Sequence, residues 1–391
     1  MIQSILDTDL YKFSMSYAYF KLFPLAEGTF TFNDRNQEVW DVATFEKLQM
    51  EFYNLQFLKL SATEKYWCIE HIPYIPKNYW EWLSTFAFDF NKIELDLDNE
   101  GHLHIEITDN LYKVTLYEIA VLSAISEVRN STIPNFNMGK VLELLEKKIT
   151  FANQNNIFFS DFGTRRRFSA AVQNKVLAFI KENSNTCTGT SNVYYAMKFN
   201  MTPTGTMAHE WIMFHAGCFG FKRANYLAME DWANVYDGNL GTALVDTYTT
   251  SSFLRTLTRK QAHLFAGFRQ DSGDEFKVGN SIIARLKEFG IDPKSKTIVF
   301  SNALNFYKAQ DIAEYFNRRC KVAFGIGTNL TCDPGIENYT PANIVMKLSK
   351  CRMSNKDPWE KVIKISDDLG KHMGDSEEFE IATHELHLNI D

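Results

Sequence analysis

The 391-residue chain has no excess of positive charge: 41 Lys and Arg stand against 48 Asp and Glu, a net charge of −7. No global basic field exists to hold nucleic acid or an acidic membrane, so any anion site must be local. No apolar run approaches the length needed to span a bilayer. The first segment, MIQSILDTDLYKF, carries Asp7 and Asp9 where a secretory leader would be basic, so the expectation is a soluble cytoplasmic protein. Cysteine is sparse: Cys68, Cys187, Cys218, Cys320, Cys332 and Cys351 include no C-x-x-C pair and no ladder of close spacings. They read as reduced core thiols of a cytosolic chain.

What the chain has in quantity is apolar surface. It is 45% hydrophobic and 14% aromatic, with 32 Phe, 17 Tyr and 7 Trp, enough for a large folded core. The aromatic side chains either fill that core or in part stack on planar ligands, and composition leaves both uses open.

Two textures follow one another. Up to about residue 130 the chain is irregular and aromatic-rich. It holds a strand-like TFTFN at 29–33 and an alternating run at 92–107, which reads as a hairpin turning at Asp98, Asn99 and Gly101. From 131 onward short β-branched or aromatic runs each precede a helical pattern: IFFSDFG, ALVDTYTT, AGFRQDSGD and KTIVFSNALN, then KVAFGIGT. Strand alternating with helix implies parallel strands, hence an α/β barrel or a doubly wound sheet. We expect an irregular α/β barrel over 131–351 and a second, α+β domain built from 1–130 plus the more charged tail 352–391. The small and polar clusters fall just after the strands, where barrels build their active sites.

Each cluster has a chemical reading and a plainer one. Arg165, Arg166 and Arg167 follow Gly163 at a strand-to-helix junction, where guanidinium forks beside free amides suit phosphate. Successive helical residues differ by about 100° in direction, so at most one or two of the three face a ligand. Gly327 and Thr328 in GIGTN form a glycine loop suited to phosphate, without the third glycine of a dinucleotide fingerprint or the Lys of a Walker loop. Ser301 and Asn302 offer hydroxyl and amide donors, or merely cap a helix. Arg269 and Asp271 in RQDSGD suit a phosphate and a ribose hydroxyl or Mg²⁺-bound water, or form an internal ion pair. Asp246 stands at a strand end in VDTYTT. His209 follows a small-residue turn, and its spacing of six from His215 does not give the one-face pair of a zinc helix. It is left as nucleophile, acid or phosphate contact.

Taken in order, DTDLYKFSM, FGTRRR, GTSN, GTMAHEW, RQDSGD, FSNALN and FGIGTN closely resemble the nicotinate phosphoribosyltransferase family of type II phosphoribosyltransferases, and the later KLS and KISDDLGKHMGD also fit. The resemblance implies a reaction of nicotinate with 5-phosphoribosyl 1-diphosphate, Mg²⁺ as cofactor, and ATP as co-substrate acting through a phosphohistidine at His209. It implies that Phe162 and Tyr11, the latter from a partner subunit of a homodimer, sandwich the pyridine. Gly163 lies beside Phe162, and Arg165 meets the substrate's anionic groups. Arg269 and Asp271 hold the ribosyl diphosphate, while Ser301, Asn302, Gly327 and Thr328 bind its 5′-phosphate and Asp246 contacts ribose or a metal water. Related nicotinamide enzymes carry Asp where this chain has Ser191. A hydroxyl donor there suits the nicotinate carboxylate. The rival expectations are a nicotinamide or quinolinate phosphoribosyltransferase and, from another class, an α/β-barrel glycoside hydrolase using Glu210, Asp246 and Asp271.

Overall fold

The computed structural model describes residues 1–368 and 374–388. Three strands come from the first third of the chain: β1 (Glu27–Asp34), β2 (Ile93–Leu97) and β3 (Leu103–Asn110). The β2–β3 hairpin turns where expected. The Asp98 carboxylate accepts from the amides of Glu100 (2.8 Å) and His102 (2.9 Å), and Gly101 takes φ +87°. The alternation in β3 is a burial pattern, with Leu103, Ile105 and Ile107 inward.

Six strands follow: β4 (Phe159–Asp161), β5 (Cys187–Thr190), β6 (Thr242–Leu244), β7 (Gly267–Gln270), β8 (Thr297–Phe300) and β9 (Lys321–Ile326). They form one parallel sheet in the order β5-β4-β9-β8-β7-β6. The edge strands are bridged by the extended segment 202–206 rather than by each other. The Thr190 amide donates to the Thr202 carbonyl (3.1 Å), the Thr204 amide to the Thr190 carbonyl (2.9 Å), and the Thr206 hydroxyl to the Thr242 carbonyl (2.8 Å). The sheet is thus an irregular barrel, as the alternation predicts. The helical pattern after β6 is two helices, Thr250–Thr256 and Arg259–Leu264, because Leu257 is extended and Thr258 opens a new capping box with Gln261.

Two further strands follow, β10 (Ile344–Arg352) and β11 (Glu360–Lys361), and then a helix, Ser376–Glu385. The antiparallel sheet has the order β11-β10-β1-β3-β2. Residues 344–351, counted with the barrel in the sequence reading, therefore belong to the other sheet, where β10 pairs along the whole of β1. The segment after β11 does not stay on that sheet. The amides of Ile365 and Ser366 donate to the Thr247 carbonyl (3.0 and 3.2 Å), Asp367 accepts from the Thr250 amide, and Arg255 donates to the Leu386 carbonyl (2.6 Å). The LGKHM part of the KISDDLGKHMGD string, residues 369–373, lies outside the described residues.

Candidate active site

The ends of β4, β5, β7, β8 and β9 open on one cavity. At the end of β4, the buried Asp161 carboxylate accepts from the Gly163 amide (2.9 Å) and the Thr190 hydroxyl (2.8 Å), which fixes the turn bearing Phe162. Burial pushes the Asp161 carboxyl up to about 6. Two glycines make room here. A Cβ on Gly325 would stand 2.3 Å from the Phe162 ring, and one on Gly163 would stand 2.2 Å from Thr331 Oγ1. Phe162 thus lies against bare backbone, with the Arg269 guanidinium 5.6 Å from its ring centre.

The three arginines divide. Arg167 is fully buried and grips Asp7 with both guanidinium nitrogens, at 2.7 and 3.0 Å. Arg165 and Arg166 line the cavity. Burial, reinforced by Arg165, lowers the Arg166 guanidinium to about 10. They do not sit at an α-helix N-terminus as the sequence suggests. Residues Thr164–Arg166 form a 3₁₀ turn, and the helix Ala170–Asn183 starts later, capped by Ser169. Arg167, between the two, is extended.

Tyr11 lines the cavity of its own chain. The Leu10 amide donates to the Ser191 carbonyl (2.7 Å), which docks the helix Leu10–Leu22 on the end of β5, and Gly205 packs closely on the Tyr11 backbone. The ring that the resemblance draws from a partner subunit thus lines the cavity of the same chain as Phe162. Ser191 also lines the cavity, but its hydroxyl is committed to Asp9 Oδ1 at 2.7 Å.

His209 is the first residue of the helix His209–Phe219. Its Nδ1 lies 2.9 Å from Thr247 Oγ1 and its Nε2 3.3 Å from Asp271 Oδ2. Burial, with Lys364 nearby, drives the imidazole well below its ordinary value, so the ring is neutral at pH 7. Burial opposes ionisation of Asp271 as well, but Arg269 and His209 more than offset it and hold the carboxyl well below its usual range. Arg269 donates to Asp271 Oδ1 (3.1 Å) and to Ser301 Oγ (3.0 Å), and Ser301 Oγ lies 2.9 Å from Asp271 Oδ1. Gly327 and Thr328 complete the wall.

Two expected residues stand apart. Asp246 does not line the cavity: it is fully buried, accepts from the Ser272 hydroxyl, and is pushed up to about 7 by burial. Asn302 turns its amide toward the Gly273 carbonyl (3.5 Å) while its neighbours Ser301 and Ala303 face the cavity. Asp9 and Lys347 also line the cavity; no site role attaches to either from the sequence, although both stand inside the strings DTDLYKFSM and KLS. Lys347 reaches the cavity from β10, with Glu118 Oε1 3.6 Å from its ammonium. Behind it, Glu118 and Glu210 share the buried Lys12.

The arrangement defines an α/β-barrel enzyme that collects anionic groups at its strand ends, around one aromatic wall and one neutral histidine. The nicotinate phosphoribosyltransferase (NAPRTase) family matches residues 157–389, and the NAPRTase N-terminal domain matches residues 6–126. A nicotinate phosphoribosyltransferase of Desulforapulum autotrophicum is 40% identical over 97% of both chains, and one of Chromohalobacter salexigens is 36% identical over 100% of this chain and 99% of its own. The crystal structure of the Porphyromonas gingivalis nicotinate phosphoribosyltransferase superposes with a TM-score of 0.97 at 43% identity, covering 99% of this chain and all of that one. The Vibrio cholerae structure gives 0.93 at 32%, over 100% and 95%. The chain belongs to the nicotinate phosphoribosyltransferase family.

Proposed function

We propose that the chain joins nicotinate to 5-phosphoribosyl 1-diphosphate in NAD biosynthesis, giving nicotinate mononucleotide and diphosphate, with ATP hydrolysis coupled through a phosphohistidine at His209. The observation that carries the reading is one cavity that combines Phe162 and Tyr11 with Arg165, Arg166, Arg269 and Lys347, and sets His209 against Asp271. The pyridine nitrogen attacks ribose C1 while the bond to diphosphate breaks and its electron pair leaves with the phosphate. The ring nitrogen is already nucleophilic, so the site has to position two reactants and stabilise charge rather than activate a nucleophile. Phe162 and Tyr11 offer stacking faces, and the cations offer a cradle for the phosphates.

Mg²⁺ fits as a companion of the diphosphate. Among the described residues no group of three or more His, Cys, Asp or Glu could hold a metal, and the Asp271 oxygens already face Arg269, Ser301 and His209. The ion would shield phosphate charge and leave with its carrier. A cytoplasmic homodimer belongs to the same reading and rests on the family resemblance. No helix among the described residues is long and apolar enough to cross a membrane. The test is release of diphosphate from nicotinate and phosphoribosyl diphosphate, with and without ATP. Release that needs nicotinamide or quinolinate instead, or none at all, overturns the assignment.

A further inference from the structure

Among the described residues two carboxyls line the cavity, and they are held differently. Asp271 is paired with Arg269 and faces His209. Asp9, 5% exposed, has no cation within ion-pair distance among the described residues. It stands at the N-cap of the helix Leu10–Leu22, where an aspartate ordinarily turns back to accept from the helix amides, yet its carboxyl makes no such bond. It takes hydroxyl donors instead. Ser191 reaches Oδ1 at 2.7 Å, and Thr164, whose oxygen already accepts from Gln173 (3.1 Å) and Asn192 (3.2 Å), gives its proton to Asp9. Arg165, on the turn after β4, favours the carboxylate; Glu118 opposes it, and Asp161 and Tyr11, which also feel Asp9, add no positive charge. Burial outweighs the favourable contacts, so Asp9 holds its proton more tightly than an ordinary aspartate.

The strand order sets which part of the base meets Asp9. Ser191 follows β5 and Phe162 follows its neighbour β4, while Gly327, Ser301 and Arg269 belong to β9, β8 and β7 on the other side of Phe162. A pyridine stacked on Phe162, with its nitrogen toward the phosphate strands, turns its 3-substituent to the β5 side, where Asp9 and Ser191 stand. We propose that Asp9 is a specificity-determining residue with opposite roles in its two protonation states: with its proton it donates to the carboxylate of nicotinate, and without it it accepts from the amide of nicotinamide. The inference rests on the function proposed above. Two carboxylates in contact do not both stay ionised, so nicotinate is held with one proton shared between its carboxylate and Asp9. An ionised Asp9 would also offset the pull of Arg165 on the incoming anion. The proton enters no covalent step and stays with Asp9 when the product leaves.

The test is kcat/KM for nicotinate and for nicotinamide between about pH 6 and 9, at saturating phosphoribosyl diphosphate, in wild type and in Asp9→Asn, which keeps the shape and a donor but does not titrate. One base needs the protonated carboxyl and the other the ionised one, so the wild-type preference for nicotinate should fall by up to about tenfold per pH unit wherever Asp9 titrates. In Asp9→Asn the preference should not change with pH. Taking the ratio of the two bases cancels Lys347 and every other group that both reactions share. A wild-type ratio constant with pH overturns the proposal without any variant having to fold. So does a fall of equal slope in Asp9→Asn, or an equal loss with both bases in that variant at an unchanged melting temperature. A wild type that releases diphosphate with neither base sinks the proposed function, and the role of Asp9 with it.

Discussion

Ser191 donates its hydroxyl hydrogen bond to Asp9, Oγ to Oδ1 at 2.7 Å, and both side chains face the cavity. Burial pushes the Asp9 carboxyl above its usual value, against the pull of Ser191, Thr164 and Arg165. The hydroxyl that the sequence assigns to the substrate is therefore already engaged, and Ser191 acts on the pocket by holding Asp9. Replacing Ser191 with Asp would set two buried carboxyls at hydrogen-bond distance. We expect Ser191→Asp to cut kcat/KM for nicotinate on the order of a hundredfold, by like-charge repulsion in a partly dry site, and to affect nicotinamide far less. Steady-state kinetics with both bases decides it, and equal losses would sink this account.

The three successive arginines should separate by assay. Arg167 and Asp7 form a bidentate pair with both side chains fully buried. Arg167→Met leaves Asp7 buried beside no guanidinium and should cost about 3–5 kcal/mol in urea unfolding. Arg165→Met removes a cavity cation that makes no ion pair among the described residues, and should shift stability by no more than about 0.5 kcal/mol while raising KM for phosphoribosyl diphosphate. The reverse pattern would make Arg165 the structural cation and Arg167 the ligand-facing one, and would overturn this division.

Strand-end chemistry was the legible part of this chain. Arg269, Asp271, Ser301, Gly327 and Thr328 stand just beyond apolar runs, and the parallel sheet brings them to one cavity. Contacts across hundreds of residues were not legible. Lys347 enters from a strand of the other sheet, and Thr247 meets His209 across 38 residues of chain. Asp246 sits at a strand end like the others, yet its side chain points at Ser272, because the direction of a side chain beyond a strand depends on the turn that follows. The aromatics resolve the same way. Trp80, Tyr19, Tyr79 and Tyr117 are core, while Tyr11 and Phe162 face the cavity.

Tyr11 and Arg269 line the cavity of a single chain. Mixing a Tyr11→Ala chain with an Arg269→Ala chain should therefore restore no activity above the sum of the two. Recovery toward a quarter of wild type, the statistical share of sites rebuilt across a dimer interface, would show that the ring crosses between subunits.

Lys347 gives the site a pH dependence whose sign can be worked out. Burial lowers its ammonium to about 8, against the pull of Glu118 and with help from Arg165 and Lys364. Below pH 8 the folded chain carries the charge, and as pH rises through 8 the cavity loses a cation. KM for phosphoribosyl diphosphate should climb over that range in wild type and stay flatter in Lys347→Arg, whose guanidinium remains charged. Stability should move the other way. Between about 8 and the unfolded value of 10.5 the unfolded chain binds the extra proton, so this group makes the fold more stable as pH rises. Weaker substrate binding together with a wild-type gain in melting temperature relative to Lys347→Arg separates loss of this one proton from general alkaline unfolding. A KM profile identical in the two proteins would remove Lys347 from the binding site.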